Sequence, residues 1–461
     1  MQHRQPVTFG GHNALTERDE VVKPYLKLAV ALLAGVLATA VDAAPVLMIS
    51  IDGLRPLDVI DSKRGFTAPN LRRIMAEGSY STGVRNSLPT VTYPNHTTLI
   101  TGVWPAKHGI ANNTTFDPEA KNFGGWYWYA SDIKVPTLWD VVHASGGSVA
   151  SIGWPVSVGT SSIDDNLPEY WRTRIAEDLK VVRALATPGL PARVEAKSGV
   201  SIDAMFSEEA TADDAKVAEA AAIYALDRPE FFTIHLSSLD HFEHGAGPGS
   251  AKAKATLEQI DAAVGRLVDA ARAAEPNLVV VVVSDHGFAN VDHSVDIERA
   301  FVEAGLMSVD PVTHKVTAWE AAPWGGASAA IVLAHPGDAA IVAKTKALLD
   351  RLAADPALGI NRVADAAEIA RLGGTPMASF WIDFKPGYSM GHGPEMVSPS
   401  NQKGTHGYFP EHPEMRAAFF AAGAGVPHKG AIGEIDQRDI APTVARLLGV
   451  ALPSADGKPL F

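Results

Sequence analysis

The stretch LVVVVVSDHG, residues 278–287, places a run of valines directly before an aspartate, a histidine and a glycine. A short β-branched run bounded by turn residues predicts a strand that is buried on both faces. FFTIHLSSLD, residues 231–240, has the same character, and apolar residues recur at helical spacing between the two runs until Pro276. Together these stretches predict a strand, a crossover helix and a parallel strand.

Further strand-like runs lie on both sides of this unit. They are PVLMISIDG (45–53), SVASIGWP (148–155) and apparent strands at 328–335 and 378–384, with helices predicted at about 339–355 and at 439–450. Short apolar runs that alternate with helical patterns are typical of an α/β fold with a mostly parallel central sheet and helices on both faces. We predict one domain over residues 44–461, with residues 289–403 inserted as a smaller subdomain on the same core.

The composition excludes several classes of function. Of the 461 residues 46% are hydrophobic, which is ample for a large core. The chain has 39 basic and 52 acidic residues and a net charge of −13, the wrong sign for a surface that binds nucleic acid non-specifically. Because there is no cysteine, disulfides, thiol catalysis and cysteine-ligated zinc are excluded, and any metal must be held by His, Asp or Glu.

Residues 1–43 are typical of an export signal. An apolar run at 28–41 follows Lys23 and Lys27 and is too short to span about 30 Å of hydrocarbon. Small residues then offer a cleavage site after Ala43, so we expect a signal peptide and an exported protein, periplasmic or secreted, with no membrane span in the mature chain. A buried N-terminal helix is the alternative interpretation of this run.

Acidic and imidazole side chains follow the predicted strands. Three carboxylates and three imidazoles stand at strand ends or in a Gly-flanked loop: Asp52, Asp240, His244, Asp285, His286 and His406. Taken singly, Asp52 could be a turn former and His406 a hydrogen-bonded loop residue. As a set at the carboxyl ends of strands, they would concentrate uncompensated charge unless cations lay among them. Mixed Asp and His ligation suits zinc, with manganese or iron as substitutes, and six ligands predict two ions.

The segment NSLPTVTYPNHTTLITG, residues 86–102, contains candidate nucleophiles. A threonine at a Pro-containing turn that leads into a helix could bind a metal ion through its hydroxyl, lose its proton and act at neutral pH. The alternative role for such a threonine is a helix N-cap. The residue types alone do not choose among the threonines of this segment.

Six motifs follow one another along the chain: ISIDG, TYPNHTTLITG, HGIANN, DHFEH, SDHG and GTHGY. Together they resemble the nucleotide pyrophosphatase/phosphodiesterase family of the alkaline phosphatase superfamily. The resemblance implies an alkaline phosphatase-like fold, two zinc ions and a threonine nucleophile before an aromatic residue and Pro-Asn-His, which selects Thr92 over Thr90, Thr97 and Thr98. It also implies two ligand sets: Asp52, Thr92, Asp285 and His286 for one zinc ion, and Asp240, His244 and His406 for the other.

The resemblance further implies contacts with substrate. The Tyr93 N–H and the side-chain amide of Asn113 would stabilise phosphate oxygens, with Asn112 as the neighbouring alternative. Tyr170 matches, through a loosely similar stretch, a tyrosine that faces Tyr93 across a nucleobase; its alternative role is to cover the core. Tyr93 itself stands where phenylalanine is common in the family. Because stacking on aromatic rings tolerates any base, we expect a nucleotide-selective enzyme with little base preference.

These features predict a metal-dependent hydrolase of phosphodiester or phosphoanhydride bonds in small molecules such as nucleotides, working through a phosphothreonine intermediate. The absence of Lys and Arg from residues 93–106 disfavours a phosphomonoesterase, which must bind a dianion. A phosphonoacetate hydrolase and a phospholipid-type phosphodiesterase are alternatives on the same site. Outside the enzymes, an inactive metal-stabilised binding protein is the alternative.

Four other histidines lie near the motifs without matching a ligand position. We expect His96 to be a structural hydrogen-bonding residue, His293 and His412 to lie in loops, and His392 to lie in a surface turn.

Overall fold

The computed structural model describes residues 43–122, 125–172 and 175–461. The apolar run at 28–41 and all but the last residue of the predicted signal peptide lie outside the described residues. The described residues form one compact unit. Among the described helices, none combines the length and the apolar character that a membrane crossing requires.

The strands, in chain order, are β1 (Val46–Ile51), β2 (Ser79–Tyr80), β3 (Gly83–Arg85), β4 (Val149–Ile152), β5 (Asp165–Leu167), β6 (Phe231–Leu236), β7 (Val279–Val283), β8 (Ala289–Val295), β9 (Met307–Val309), β10 (Val316–Trp319), β11 (Ala321–Gly325), β12 (Ala329–Leu333), β13 (Ile360–Asp365), β14 (Ala378–Phe384), β15 (Gly387–Met390), β16 (Val397–Pro399), β17 (Gly404–Thr405), β18 (Phe419–Ala422), β19 (Gly430–Ala431) and β20 (Glu434–Asp436).

The α-helices are α1 (Pro56–Ile60), α2 (Pro69–Glu77), α3 (Thr92–Thr101), α4 (Pro105–His108), α5 (Leu138–Ala144), α6 (Ala176–Leu185), α7 (Leu190–Ser198), α8 (Ala210–Leu226), α9 (Ser238–Ala246), α10 (Ala251–Ala274), α11 (Ile297–Glu303), α12 (Ala339–Ala354), α13 (Ala366–Arg371) and α14 (Ile440–Leu447).

An eight-stranded sheet in the order β19-β2-β18-β7-β1-β6-β4-β5 forms the centre of the molecule. β1 pairs in parallel with β6 on one side and β7 on the other, so Ser50 lies opposite His235 and Val283. The sheet is mostly parallel, with β18 antiparallel to both of its neighbours. This confirms the predicted α/β class, and it brings the carboxyl ends of β7, β1 and β6 to adjacent positions on one edge.

Both faces of the sheet are covered by helices. Alternate residues of β1 enter two separate hydrophobic cores: Leu47 and Ile49 pack with α2, α8 and α10, whereas Val46 and Met48 pack with α3, α5 and α14. All six residues of β1 and all five of β7 are buried, as a strand between two helical layers must be. The continuous valine run of β7 therefore indicates burial on both faces of the strand.

Smaller sheets occupy the part of the chain for which an insertion is predicted. A four-stranded sheet in the order β11-β12-β14-β13 is antiparallel throughout, and a second sheet places β8 between β15 and β16. Their core also includes Tyr408 and Met415, which follow this segment. The bounds 289–403 stay a prediction.

One predicted element is wrong at its end. The stretch 231–240 is strand only to Leu236, and α9 begins two residues later. The Asp213 carboxylate of α8 accepts hydrogen bonds from the backbone N–H groups of Ser237 and Ser238, at 3.1 Å each. These bonds satisfy donors that would otherwise be left unpaired at the helix start, so the chain leaves the sheet early.

Candidate active site

The six predicted metal ligands come together at the carboxyl edge of the central sheet. Asp52 directly follows β1, and Asp285 and His286 follow β7. Asp240 and His244 lie one turn apart on α9, not at a strand end, so helical spacing puts both side chains on one face. His406 follows β17, which pairs with β8 and thereby returns the chain to this edge.

Asp52, Asp285 and His286 form a buried cluster in which one candidate ligand atom from each lies within 4.8 Å of the others. His286 Nε2 is 3.0 Å from Asp285 Oδ2 and 3.3 Å from Asp52 Oδ1. Thr92 Oγ1 lies 3.5 Å from the same nitrogen. The structure thus assembles the four residues that the resemblance assigns to one ion.

A second cluster shares His286 with the first. Asp240, His286 and His406 offer ligand atoms that also lie within 4.8 Å of one another. Asp240 Oδ1 is 3.4 Å from His406 Nε2 and 3.5 Å from His244 Nε2, so both histidines face the same carboxylate oxygen. The rings of His286 and His406 stack with their centroids 3.6 Å apart, which places the two clusters side by side.

His244, His286 and His406 are oriented by the same kind of contact. Nδ1 lies 3.0 Å from the Gly404 carbonyl oxygen in His244, 3.1 Å from that of Gly287 in His286, and 3.0 Å from that of Thr90 in His406. A carbonyl oxygen can only accept, so each Nδ1 carries a proton and donates it. Nε2 is then the nitrogen that can offer a lone pair to a metal ion.

The carboxylates are likewise held by one oxygen. Asp52 Oδ2 lies 3.0 Å from His235 Nε2, and Asp285 Oδ1 accepts from the Gly53 N–H at 3.2 Å. Three buried oxygens that face the histidines, Asp52 Oδ1, Asp240 Oδ1 and Asp285 Oδ2, have no hydrogen-bond partner. Buried unpaired carboxylate oxygens are costly, and lone pairs of nitrogen and oxygen that face one another call for a cation between them. The donor set therefore fits metal ions.

The pKa shifts in the two clusters also indicate that these groups need a positive charge among them. Burial and then the neighbouring carboxylates of Asp285 and Asp240 raise the pKa of Asp52 well above its usual range. Burial alone would lower the pKa of His286, but the Asp285 carboxylate raises it to about 9. Burial and the nearby rings of His286 and His244 hold the pKa of His406 well below its usual range, so its imidazole is neutral.

Thr92 is the first residue of α3 and does not cap this helix. The N-cap is Val91, which provides no side-chain hydrogen bond, so the alternative N-cap role for Thr92 is wrong. The hydroxyls of the other threonines point elsewhere: Thr90 Oγ1 donates to the Tyr408 carbonyl and Thr97 Oγ1 to the Tyr93 carbonyl, at 2.8 Å each. Thr98 Oγ1 lies 3.2 Å from His108 Nε2. Thr92 is the one of these four whose hydroxyl reaches the clusters.

Asn113 contacts the residue that follows Thr92. The Tyr93 N–H donates to Asn113 Oδ1 at 2.8 Å, which fixes the orientation of the amide and turns its NH₂ group away from Tyr93. Asn113 lines the cavity in front of the clusters, whereas Asn112 accepts a hydrogen bond from the Asn113 N–H. Between the two candidate amides, the geometry favours Asn113.

A cavity of about 940 Å³ adjoins the clusters, and its lining includes Asp52, Thr92, Asp240, His244 and His406. Tyr93, Trp126, Tyr170 and Trp171 contribute aromatic surface to its wall. Tyr93 is only 1% exposed, and the rings of Tyr93 and Tyr170 both pack on Trp128, at centroid distances of 5.8 and 5.2 Å. Tyr170 thus lines the cavity, and the ring of Trp128 contacts both tyrosines. The sandwich of a base between Tyr170 and Tyr93 stays a prediction.

The sequence did not identify His235 and Glu169. His235 Nδ1 lies 3.2 Å from Glu169 Oε2, and Glu169 Oε1 accepts a 2.5 Å hydrogen bond from the Tyr93 hydroxyl. Burial alone would lower the pKa of His235, but its hydrogen bonds to Asp52 and Glu169 raise it to about 10. A polar residue inside the apolar strand FFTIHL is a signal that could have identified His235; nothing in the sequence marks Glu169.

The four other histidines have separate roles. His96 is buried, with Nε2 2.8 Å from Ser50 Oγ and Nδ1 2.9 Å from the Thr92 carbonyl, as a structural residue would be. His293 lies in β8, so the expectation of a loop is wrong. His412 Nε2 lies 2.9 Å from Asp383 Oδ2, and His392 is exposed outside any helix or strand.

Sequence comparisons relate the chain to known proteins. The family model described as type I phosphodiesterase/nucleotide pyrophosphatase matches residues 46–409. Ectonucleotide pyrophosphatase/phosphodiesterase family member 1 of Mus musculus is 25% identical over 259 residues, which cover 53% of this chain and 24% of the relative. An uncharacterized pyrophosphatase/phosphodiesterase of Schizosaccharomyces pombe is 26% identical over 291 residues, 62% of this chain and 52% of the relative. The chain thus spans about a quarter to a half of the length of these relatives.

Solved structures show the same fold. Murine ectonucleotide pyrophosphatase/phosphodiesterase 5, in an inactive form in complex with AMP, aligns with a TM-score of 0.64 at 19% identity and covers 90% of this chain and 97% of its own. The human protein of the same name gives a TM-score of 0.63 over the same shares. The family match extends from the strand before Asp52 to the loop after His406 and covers most of the sequence. The chain therefore belongs to the type I phosphodiesterase/nucleotide pyrophosphatase family.

Proposed function

We propose that the chain is a zinc-dependent hydrolase of phosphodiester or phosphoanhydride bonds that acts on nucleotides through Thr92. The observation that carries this proposal is the arrangement of three histidine Nε2 atoms around three unpartnered carboxylate oxygens, with the Thr92 hydroxyl 3.5 Å from His286 Nε2. Asp52, Asp285 and His286 would hold one ion together with Thr92, and Asp240, His244 and His406 would hold the second. Bound zinc would lower the pKa of a hydroxyl or water and neutralise charge on the phosphate oxygens.

The side chains of this site carry out the attack on phosphorus and stabilise the phosphate group. Thr92 Oγ1, after loss of its proton, attacks phosphorus, and the bond to the leaving alcohol or phosphate breaks. This forms a phosphothreonine ester, whose hydrolysis by water restores the Thr92 hydroxyl and releases the phosphorylated product. The Asn113 NH₂ group, turned away from Tyr93 by its other contact, is placed to donate to a non-bridging oxygen.

The charge of the cavity supports a diester over a monoester. Among the described residues that line the cavity, Lys216 is the one Lys or Arg, and its Nζ lies 3.3 Å from Asp213 Oδ1 and 3.0 Å from Ser237 Oγ. A phosphomonoester dianion needs an additional free cation near phosphorus, as an arginine usually provides. A diester, with one negative charge, does not.

The aromatic wall supports a planar substrate group. Tyr170, Trp126 and Trp171 line the cavity, and stacking on such rings contributes about 1 to 3 kcal/mol per base with little preference among bases. We also propose export, since matched relatives are named as an ectonucleotide pyrophosphatase and a venom phosphodiesterase. Export to the periplasm or beyond rests otherwise on the sequence of residues 1–43.

A substrate panel tests the proposal. Rates of the zinc-loaded chain are compared on bis-p-nitrophenyl phosphate, a nucleoside 5′-monophosphate p-nitrophenyl ester, a nucleoside triphosphate, a lysophospholipid, phosphonoacetate and a phosphomonoester. The nucleotide ester should give the highest kcat/KM. In protein that is trapped at early times, the phosphoryl group should be found on Thr92. Hydrolysis of none of these substrates would support the inactive binding protein, and preferred release of acetate from phosphonoacetate would identify a phosphonoacetate hydrolase.

A further inference from the structure

His235 is buried between two carboxylates directly behind the first cluster. It lies on β6, is 2% exposed, and places Nε2 3.0 Å from Asp52 Oδ2. Its Nδ1 faces Glu169 Oε2 at 3.2 Å and the Gly153 carbonyl oxygen at 3.1 Å. Every partner of the ring is a hydrogen-bond acceptor, so both ring nitrogens donate. A flipped ring would offer the same two donors. The rings of His96 and His235 pack edge-to-face with their centroids 4.4 Å apart, which holds the His235 ring in this orientation.

Glu169 extends this contact to the residue beside the nucleophile. Its Oε1 accepts from the Tyr93 hydroxyl at 2.5 Å while its Oε2 faces His235, so both oxygens are used. Tyr93 immediately follows Thr92 in α3, and its N–H is bound by Asn113. The result is a continuous hydrogen-bond chain from Asp52 through His235 and Glu169 to Tyr93, which we call the Asp52–Tyr93 chain.

The Asp52–Tyr93 chain determines which oxygen of Asp52 faces the cluster. Because His235 occupies Oδ2, Oδ1 is left without a hydrogen-bond partner, 3.3 Å from His286 Nε2. A carboxylate held by one oxygen on the protein presents the other as a single ligand atom in a fixed direction, and such supporting contacts usually raise metal affinity. A phenylalanine at position 93 would end the chain at Glu169, because only the hydroxyl of Tyr93 reaches that carboxylate.

We propose that His235, Glu169 and the Tyr93 hydroxyl are positioning residues that aim Asp52 Oδ1 at the first metal ion and couple that ligand to the start of α3. This inference rests on the proposed metal-dependent function. It predicts that removing a single oxygen atom at Tyr93 weakens metal binding at Asp52, although that oxygen contacts no metal ligand.

The test measures zinc affinity directly. Native protein and the variants Tyr93→Phe, Glu169→Gln and His235→Gln are stripped of metal and titrated with zinc against a chromophoric chelator, and Co²⁺ spectra report ligand geometry. We expect His235→Gln to weaken one of two zinc sites about 10- to 100-fold. Glu169→Gln should weaken the same site about 10-fold and Tyr93→Phe about 3- to 10-fold. These losses are smaller because Glu169 and Tyr93 act on Asp52 only through His235. The other site should keep its affinity.

Coupling within the chain gives a second readout. The double variant Tyr93→Phe with Glu169→Gln should bind zinc no more weakly than Glu169→Gln alone, since the hydroxyl acts through that carboxylate. Matched controls are His108→Gln and Glu219→Gln, which alter a buried histidine bonded to Thr98 and a buried acid bonded to Ser198, outside the site. Both controls should keep native zinc affinity.

The outcomes separate this inference from the proposed function. Two zinc sites in the native protein, with native affinity in Tyr93→Phe and Glu169→Gln, would overturn the positioning role and leave the zinc-dependent hydrolase standing. Additive losses in the double variant would also overturn it, because the residues would then act independently. Native protein that binds no zinc would overturn both proposals.

Discussion

Valine substitutions of Thr90 and Thr92 should inactivate the protein in different ways, because the two hydroxyls have different partners. Thr90 Oγ1 donates to the Tyr408 carbonyl at 2.8 Å and accepts from the Gly407 N–H at 3.1 Å. It therefore holds the loop that carries His406. Thr92 Oγ1 instead faces His286 Nε2 at 3.5 Å. Thr90→Val should damage the second metal site, whereas Thr92→Val should remove the nucleophile.

The size of the Thr90 effect follows from the groups left unpaired. Thr90→Val keeps the shape of a fully buried side chain but leaves one backbone N–H and one carbonyl without partners, at about 1 to 3 kcal/mol each. Each loss of about 1.4 kcal/mol in the stability of the metal-binding conformation of the loop weakens zinc binding about tenfold. We expect zinc affinity at the site of Asp240 and His406 to fall about 10- to 100-fold, and turnover to return at saturating zinc. Thr92→Val should lose at least about a thousandfold in kcat at any zinc concentration.

Initial rates on bis-p-nitrophenyl phosphate over a range of free zinc, together with the zinc content of each variant, check this prediction. The matched control is Thr101→Val on the same helix, where the hydroxyl donates to the Thr97 carbonyl at 2.7 Å and lies outside the clusters. It should cost about 1 kcal/mol of stability and leave turnover unchanged. Recovery of Thr92→Val at high zinc, or a Thr90→Val protein that stays inactive when both sites are loaded, would falsify the assignment of Thr92.

Four further outcomes are expected. Chelation should abolish hydrolysis of bis-p-nitrophenyl phosphate and zinc should restore it, because the nucleophile needs a lowered pKa; full activity of metal-free protein would contradict this. His406→Ala should leave one tightly bound zinc ion per chain by metal analysis, and two retained ions would reject it as a ligand. Tyr170→Ala should raise KM for a nucleoside 5′-monophosphate p-nitrophenyl ester about 5- to 100-fold and leave bis-p-nitrophenyl phosphate almost unchanged; equal losses would indicate a packing role. Burial raises the pKa of Glu219 from 4.5 to about 7, so its stabilising contribution is complete below pH 4.5 and is lost as the pH rises through 7. Glu219→Gln should therefore raise the unfolding free energy by about 1 to 3 kcal/mol at pH 8 and change it little at pH 4, and equal effects at both pH values in denaturant titrations would contradict the shift.

The central sheet could be predicted because its strands lie between two helical layers. Burial on both faces produces continuous apolar runs such as that of β7, and the crossover helix α10 shows its core-facing stripe in sequence. The strands on the other side of β7 from β1, namely β18, β2 and β19, carry no such signal. β2 and β19 have two residues each, and β18 consists of Phe419–Ala422 without β-branched residues, so pairing with neighbours rather than local pattern places them in the sheet.

The cluster of acidic and imidazole groups could be predicted because its chemistry is unusual, but the residues that support it could not. Six acidic and imidazole groups at one edge stand out against an apolar core, whereas Glu169 looks like any acidic residue of a surface loop. Its role depends on a distance to His235, 66 positions away along the chain. Thr90 shows the same limit: its sequence position makes it equivalent to Thr92, and only the fold reveals that it holds the loop of His406.

An acidic protein that binds an anionic substrate must supply local positive charge, and the cations of this cavity are already paired. His235 lies between Asp52 and Glu169, and the Lys216 ammonium lies beside Asp213. A phosphate group that entered the cavity would therefore meet no unpaired Lys or Arg side chain among the described lining residues. If the proposed metal ions are bound, charge for substrate binding comes from the same ions that would pair with the unpartnered oxygens of Asp52, Asp240 and Asp285. On the proposed function, metal binding and substrate recognition are therefore one electrostatic property of the site, and neither is set by the net charge of −13.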